Sequence, residues 1–293
     1  MSDVAPQQPG VWPGGKKAAV TLTFDFDAET VWLSRDPNVT DRPGVLSQGR
    51  YGATIGVPRI LELLAQEQIM ATFFIPGWVV EHYSDEAKAI RDGGHEIGHH
   101  GYLHERATAA DPEGERTAFS RGLEALDKVL GVRPVGYRSP GWDLTPITLE
   151  LVQQAGMLYS SNLMDDEYPY IHKDTGIVEI PVQWSRDDAP YFMFNPHYVN
   201  RPIASPTLVL SEWQEELLGV VEWGGSFNLT MHPQIIGHPA RLRLLRRLIA
   251  VIKSLINDSV WVATCEEVAR YWLEHERSGR ASQSLRTAPQ RVQ

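Results

Sequence analysis

Short apolar runs of β character alternate with amphipathic helical stretches along almost the whole chain, and that alternation leaves few folds open. Ala18–Phe24 reads as a buried strand, and Val57–Glu67 as a helix with Ile60, Leu61 and Leu64 on one side. Ala71–Pro76 is a second strand, Val79–Asp92 a second helix stopped by Gly93 and Gly94, and a short strand then leads into a histidine cluster. Helices at Glu113–Leu130, Thr145–Gln154 and Ala240–Leu255 interleave with strands before Gly136, at Met157–Asn162, Ile177–Trp184, Phe227–His232 and Val260–Thr264. Repeated βα units with short buried strands give a parallel sheet, and about seven strands fit a closed ring better than a doubly wound sheet. No Gly-x-Gly-x-x-Gly or phosphate loop follows the first strand, which lowers the nucleotide-binding alternative. The expected fold is α/β: a distorted (β/α) barrel related to the TIM barrel, one domain over residues 18–276. Residues 1–17 form an N-terminal extension. Residues 277–293, with four arginines and no acid, read as a disordered tail.

The chemistry-bearing residues fall at the ends of these strands. Asp25 and Asp27, His100 and His104, Arg138, Asp187 and Asp188, and His232 each close a strand or follow it directly. In a parallel barrel those ends meet on one face, where active sites sit. Strand alternation puts Asp25 and Asp27 on the same side, and two carboxylates so close call for a compensating cation. A solvated strand end or a helix cap is the bland alternative. His100 and His104, four apart, can reach one ion from a helical turn or a tight loop; with Asp27 they make half of a tetrahedral or octahedral shell. Strand alternation turns His99 away from the His100 face, so His99 and His95 are assigned to packing or support. Glu105 lies outside the histidine pair, which excludes the His-Glu-x-x-His of zinc proteases.

One cysteine in 293 residues excludes an internal disulfide and fits a reducing compartment. Cys265 itself reads as a buried packing residue. A net charge of −10 disfavours nucleic acid or an anionic membrane as partner. No basic and apolar leader opens the chain, and nowhere do about 18 apolar residues run together, so a cytoplasmic protein with no membrane span is expected.

Five short motifs in order carry a family resemblance over roughly residues 18–270. They are Thr23-Phe-Asp25-Phe-Asp27, His100-Gly-Tyr-Leu-His104, Arg138-Ser-Pro-Gly-Trp142, Trp184-Ser-Arg-Asp187-Asp188 and Leu229-Thr-Met-His232. Together they resemble the NodB-type polysaccharide deacetylases, carbohydrate esterase family 4. The resemblance implies metal-dependent hydrolysis of an amide. Asp27, His100 and His104 would hold Zn²⁺ or another divalent ion such as Co²⁺, Mn²⁺ or Ni²⁺. Asp25, steadied by Arg138, would be the general base, and His232, oriented by Asp187 or Asp188, would protonate the leaving nitrogen. It also implies a homo-oligomer, often a tetramer.

Two departures bear on substrate: motif one reads Asp-Phe-Asp rather than adjacent aspartates, and Gly101 replaces the usual hydroxyl residue, so that loop must be held otherwise. Both resemble a branch without secretion signals that includes cyclic imide hydrolases, peptidoglycan-deacetylase-like proteins and metal-free allantoinases. The expected substrate is therefore a small amide, foremost a cyclic imide opened at its ring; N-deacetylation of an amino sugar or peptidoglycan-type polymer is the alternative, and a ureide a lesser one. Trp142, Trp184 and Tyr102, with Tyr191 and Phe192, are candidates for an aromatic rim. The glycine-rich stretch Ser47–Gly56 reads as a loop over the site whose Arg50 and Tyr51 could touch substrate.

Overall fold

The computed structural model describes residues 10–36, 38–194 and 202–278. The tail assigned to 277–293 thus lies almost wholly outside the described residues. Nine strands form one sheet: β1 Ala18–Asp25, β2 Thr72–Ile75, β3 Glu96–His99, β4 Gly136–Tyr137, β5 Tyr159–Ser160, β6 Tyr170–Ile171, β7 Val178–Glu179, β8 Gly225–Met231 and β9 Val260–Val262. Their order is β6-β7-β5-β4-β3-β2-β1-β8, with β9 also on β1, and every pairing is parallel except β6 with β7.

β8 lies along one edge of β1, from Ala18 opposite Gly225 to Phe24 opposite Met231. The other edge is shared. β9 takes its first part, Ala18 to Val20, and β2 its last, Thr23 to Asp25. On the far side the ring closes loosely, through a bridge between Asp187 and Thr230, where the Asp188 N–H donates to the Thr230 carbonyl at 3.1 Å, and through the Ser226 N–H to the Glu167 carbonyl at 2.8 Å. These two features are the distortion: seven parallel strands, β1 to β5 with β7 and β8, close loosely while β9 wedges against the first. The barrel expected from the βα alternation is present.

Every residue of β1 is buried, as in a strand covered on both faces. Ala18, Val20, Leu22 and Phe24 join the main apolar cluster, with Ile60 and Leu64 of helix Val57–Glu67 and Leu244, Leu245, Leu248 and Ile252 of helix Pro239–Leu255. Each such buried side chain contributes about 1.5–3 kcal/mol. The alternate residues Thr21, Thr23 and Asp25 point into the barrel. Thr21 Oγ1 donates to Asn228 Oδ1 at 3.0 Å and Thr23 Oγ1 to the Leu229 carbonyl at 2.9 Å, so the polar face is satisfied across the ring.

Three elements differ from the sequence expectation. Val79–Asp92 is two helices, Gly77–His82 and Ser84–Asp92, broken where Tyr83 adopts φ −125°, ψ 49°. Ser47–Gly56 is no loop: helix Pro43–Tyr51 passes through a π turn, Gly52–Gly56, straight into Val57–Glu67. Its glycines serve close packing. A Cβ on Gly52 would lie 2.7 Å from the Gln234 nitrogen and one on Gly56 2.4 Å from the Pro233 carbonyl oxygen. Helix Pro206–Trp223 has no clear one-sided stripe in sequence, because Leu208, Leu218 and Trp223 are exposed while Val209, Leu210, Trp213, Leu217 and Val220 are buried. In the N-terminal extension, Trp12 is fully buried, its ring 5.4 Å from Trp272 and 6.0 Å from Trp261 and Tyr271. Among the described residues no helix is long and apolar enough to cross a membrane.

Candidate active site

At the C-terminal end of β1 the chain turns sharply: the Asp27 N–H bonds the Asp25 carbonyl at 3.0 Å and Ala28 takes a left-handed φ of 48°. Asp25 and Asp27 therefore do not continue one strand, yet both face the same imidazole. His100 Nε2 lies 3.4 Å from Asp27 Oδ1 and 4.0 Å from Asp25 Oδ2. His104 Nε2 lies 3.8 Å from Asp27 Oδ2. All four side chains are buried.

The loop from His100 to His104 replaces the hydroxyl missing at Gly101 with a carboxylate four positions further on. Glu105 Oε2 accepts the Leu103 N–H at 2.7 Å and the Tyr102 N–H at 3.2 Å. Gly101 sits at φ 74°, and the Gly101 and Tyr102 carbonyls accept from Gly77 and Trp78 at 3.0 and 2.9 Å. His104 is left-handed, φ 60°, which swings its ring back beside His100 at a centroid distance of 5.2 Å. His99 points the other way, between Phe119 and Tyr137, and His95 Nδ1 accepts the Ala71 N–H at 3.2 Å. Both are packing residues.

Arg138 is fully buried inside the barrel. Its Nη1 donates to Asp25 Oδ1 and Thr23 Oγ1, each at 2.8 Å, its Nη2 to Ser161 Oγ at 3.0 Å, and its guanidinium stacks 4.2 Å over the Phe74 ring. One oxygen of Asp25 is thus held by a permanent cation and the other is left facing the site. On the opposite wall His232 Nε2 is 3.7 Å from Asp27 Oδ2, and its Nδ1 is 2.6 Å from Asp188 Oδ1. Asp188 Oδ2 also accepts the His232 backbone N–H at 3.0 Å. Asp187 stands farther off, 3.6 Å from Nδ1, and accepts the Ala189 N–H. Of the two carboxylates the motif left open, the geometry gives Asp188 the orienting contact. The His232 side chain is 12% exposed, more open than its neighbours, so a substrate atom can reach it.

Electrostatics follow the packing. Burial works against the Asp27 carboxylate, but the imidazoles of His104, His100 and His232 overcome it and hold its pKa far below the ordinary range. Burial, reinforced by the charges of His100, Arg35 and His232, lowers His104 to about 4 against the pull of Asp27. Burial opposes the charged form of His100 too, but Asp25 and Asp27 raise it; Asp188 and Asp187 likewise raise His232 well above an ordinary imidazole. Asp187 is pushed up to about 7 by burial and by Asp188 and Asp25.

The donor set suits a divalent cation. His100 Nδ1–H donates to the Arg138 carbonyl at 2.7 Å, which leaves Nε2 as the ring nitrogen available to a cation beside Asp27. Asp27 Oδ1 is buried with no hydrogen-bond donor. A buried carboxylate oxygen without a hydrogen-bond donor, set beside two imidazole nitrogens, is a favourable arrangement for a cation. Asp27, His100 and His104 would be the ligands.

The rim is mixed. Trp142 and Trp184 pack with centroids 4.2 Å apart, Trp142 buried and Trp184 exposed at 48%. Tyr102 is not there. Its hydroxyl donates to Glu81 at 2.8 Å and Arg121 stacks 3.7 Å over its ring, because the left-handed turn sends it to the outer helices. Arg50 lies 3.8 Å from Glu29. Tyr51 stacks on His238 and accepts from Arg59 at 2.8 Å. Both sit on the helix that stands in place of the expected loop. Gln234, which no motif singled out, donates to Asp27.

This arrangement has relatives. The polysaccharide deacetylase family profile matches residues 14–160. A peptidoglycan deacetylase of Helicobacter pylori is 29% identical over 288 residues, covering 88% of this chain and 97% of that one. A peptidoglycan deacetylase-like protein of Gibberella zeae is 26% identical over 88% of this chain and 87% of its own. A Mycobacterium smegmatis protein of solved structure, assigned to the polysaccharide deacetylases, superposes with a TM-score of 0.86 at 39% identity, over 99% of this chain and 98% of that one. The allantoinase Puue shares the fold, with a TM-score of 0.78 at 23% identity. With half the chain matched by the profile and the barrel shared along its length, this chain belongs to the polysaccharide deacetylase family.

Proposed function

We propose that this chain is a divalent-metal amidohydrolase that removes an N-acetyl group from an amino sugar of the peptidoglycan type. The observation that carries the reading is the convergence of Asp27, His100 and His104 on one buried point between Asp25 and His232. The named relatives favour acetyl removal over the cyclic imide expected from the motif departures. The exposed indole of Trp184 offers a flat apolar face to a pyranose ring.

Asp27, His100 and His104 would hold a divalent cation, which would polarise the amide carbonyl and lower the pKa of bound water. Asp25 Oδ2 takes a proton from the attacking water while Arg138 holds Oδ1. His232 Nε2–H delivers a proton to the nitrogen as the carbon–nitrogen bond breaks, giving acetate and a free amine. Asp188 fixes the ring for that transfer.

The test is incubation of purified protein with acetylated chito-oligomers, succinimide and allantoin, before and after chelation and Zn²⁺ restoration. Acetate from the oligomers, lost with chelator and recovered with metal, is expected. Ring opening of succinimide or allantoin without acetate release would replace this reading with the imide or ureide one.

A further inference from the structure

Gln234 is 5% exposed, and its Nε2 donates to Asp27 Oδ2 at 3.3 Å while its Oε1 is buried with no partner. A carboxylate only accepts, so the amide cannot be turned over without losing that bond. The donor therefore occupies Oδ2 and leaves Oδ1, the oxygen without a hydrogen bond, facing His100 Nε2 at 3.4 Å. An amide that gives up its own oxygen to make this one contact is held in place for the contact.

What holds it is the helix that runs past the site. The turn Pro233–Ile236 rests on the π turn Gly52–Gly56 so closely that a Cβ on Gly52 would sit 2.7 Å from the Gln234 backbone nitrogen and 2.8 Å from its Cβ. A Cβ on Gly56 would sit 2.4 Å from the Pro233 oxygen, and one on Gly237 2.6 Å from Gly56 Cα. Any side chain on that surface lifts the turn and its amide away from Asp27. π turns recur at functional sites because they re-aim what packs on them.

We propose that Gln234 is a positioning residue of the cation site: its amide fixes the rotation of the Asp27 carboxylate so that Oδ1 faces the ion, and the bare surface of Gly52 and Gly56 sets the reach of that amide. This rests on the reading of Asp27, His100 and His104 as ligands. Gln234 touches neither substrate nor reacting atoms; it acts through Asp27, as partners of metal-ligating carboxylates do.

The experiment measures cation affinity rather than turnover. Apoprotein is titrated with Co²⁺, followed by its visible absorption bands, and with Zn²⁺ against a competing chelator. Gln234→Met keeps the side-chain length and removes the donor. It should weaken both affinities about 10–100-fold and alter the Co²⁺ spectrum, with the apoprotein's unfolding temperature unchanged or raised. Gly52→Ala should weaken affinity in the same direction by displacing the turn, so the proposal stays testable if one variant folds poorly. Wild-type affinity and spectrum in Gln234→Met would overturn this role alone. A wild-type protein that takes up no cation would overturn the ligand reading and this inference with it.

Discussion

His232 and His95 show how the same side chain serves two ends. His232 is pinned through Nδ1 by Asp188 and presents Nε2 to the site, a posture that suits the proton delivery proposed for it. His232→Ala should keep the cation yet lower kcat about 10²–10⁴-fold, measured by acetate release alongside metal content. His95 accepts a backbone N–H through Nδ1, and burial lowers its pKa below that of a free imidazole, about 6.5. The unfolded chain therefore binds a proton that the folded one refuses. The stability from His95 is complete above pH 6.5 and drains away as pH falls toward its depressed folded value. The loss is at most about 1.4 kcal/mol for each pH unit. His95→Gln, which retains an acceptor and cannot titrate, should flatten that acid limb in urea unfolding measured from pH 7 to 5.

Among the elements, the clearest local design is helix Cys265–Arg277. Thr264 and Glu267 cap it reciprocally: the Thr264 hydroxyl accepts the Glu267 N–H and the Glu267 carboxylate accepts the Thr264 N–H at 2.8 Å. Thr264→Ala should cost about 1 kcal/mol, visible as a lower unfolding temperature with turnover intact. Such signals explain what the sequence disclosed. Strands β1, β2 and β8 were readable because short buried strands are rich in apolar, aromatic and β-branched residues, and the turns of the candidate site because acids and imidazoles gathered at strand ends stand out. The helix through Gly52–Gly56 was hidden, since glycines placed for close approach look the same in sequence as glycines placed for a loop. Pro206–Trp223 was hidden by apolar residues facing outward as well as inward. Tyr102 was misplaced because its direction depends on left-handed backbone at Gly101 and His104, which spacing does not reveal. Glu105 and Gln234 were passed over because their partners, two loop amides and Asp27, are known only once the turns are in place.

At the scale of the whole molecule, the barrel is fastened at its base by the segment ahead of β1. Trp12 fills an aromatic nest with Trp261, Tyr271 and Trp272, and the Tyr271 hydroxyl donates to the Val11 carbonyl at 2.6 Å. Trp12→Ala should cost about 3–5 kcal/mol in chemical unfolding while KM and kcat hold in the surviving folded fraction, because the nest packs beside β9, away from the catalytic rim. The rim itself makes the opposite bargain. Of the four described non-glycine residues with left-handed backbone, three are Ala28, His104 and Trp142, all on turns of the candidate site. Each costs about 1–2 kcal/mol that glycine would not. Selection for heat resistance alone would favour glycine at those turns, and at His104 the more durable protein would be one that had given up a proposed ligand.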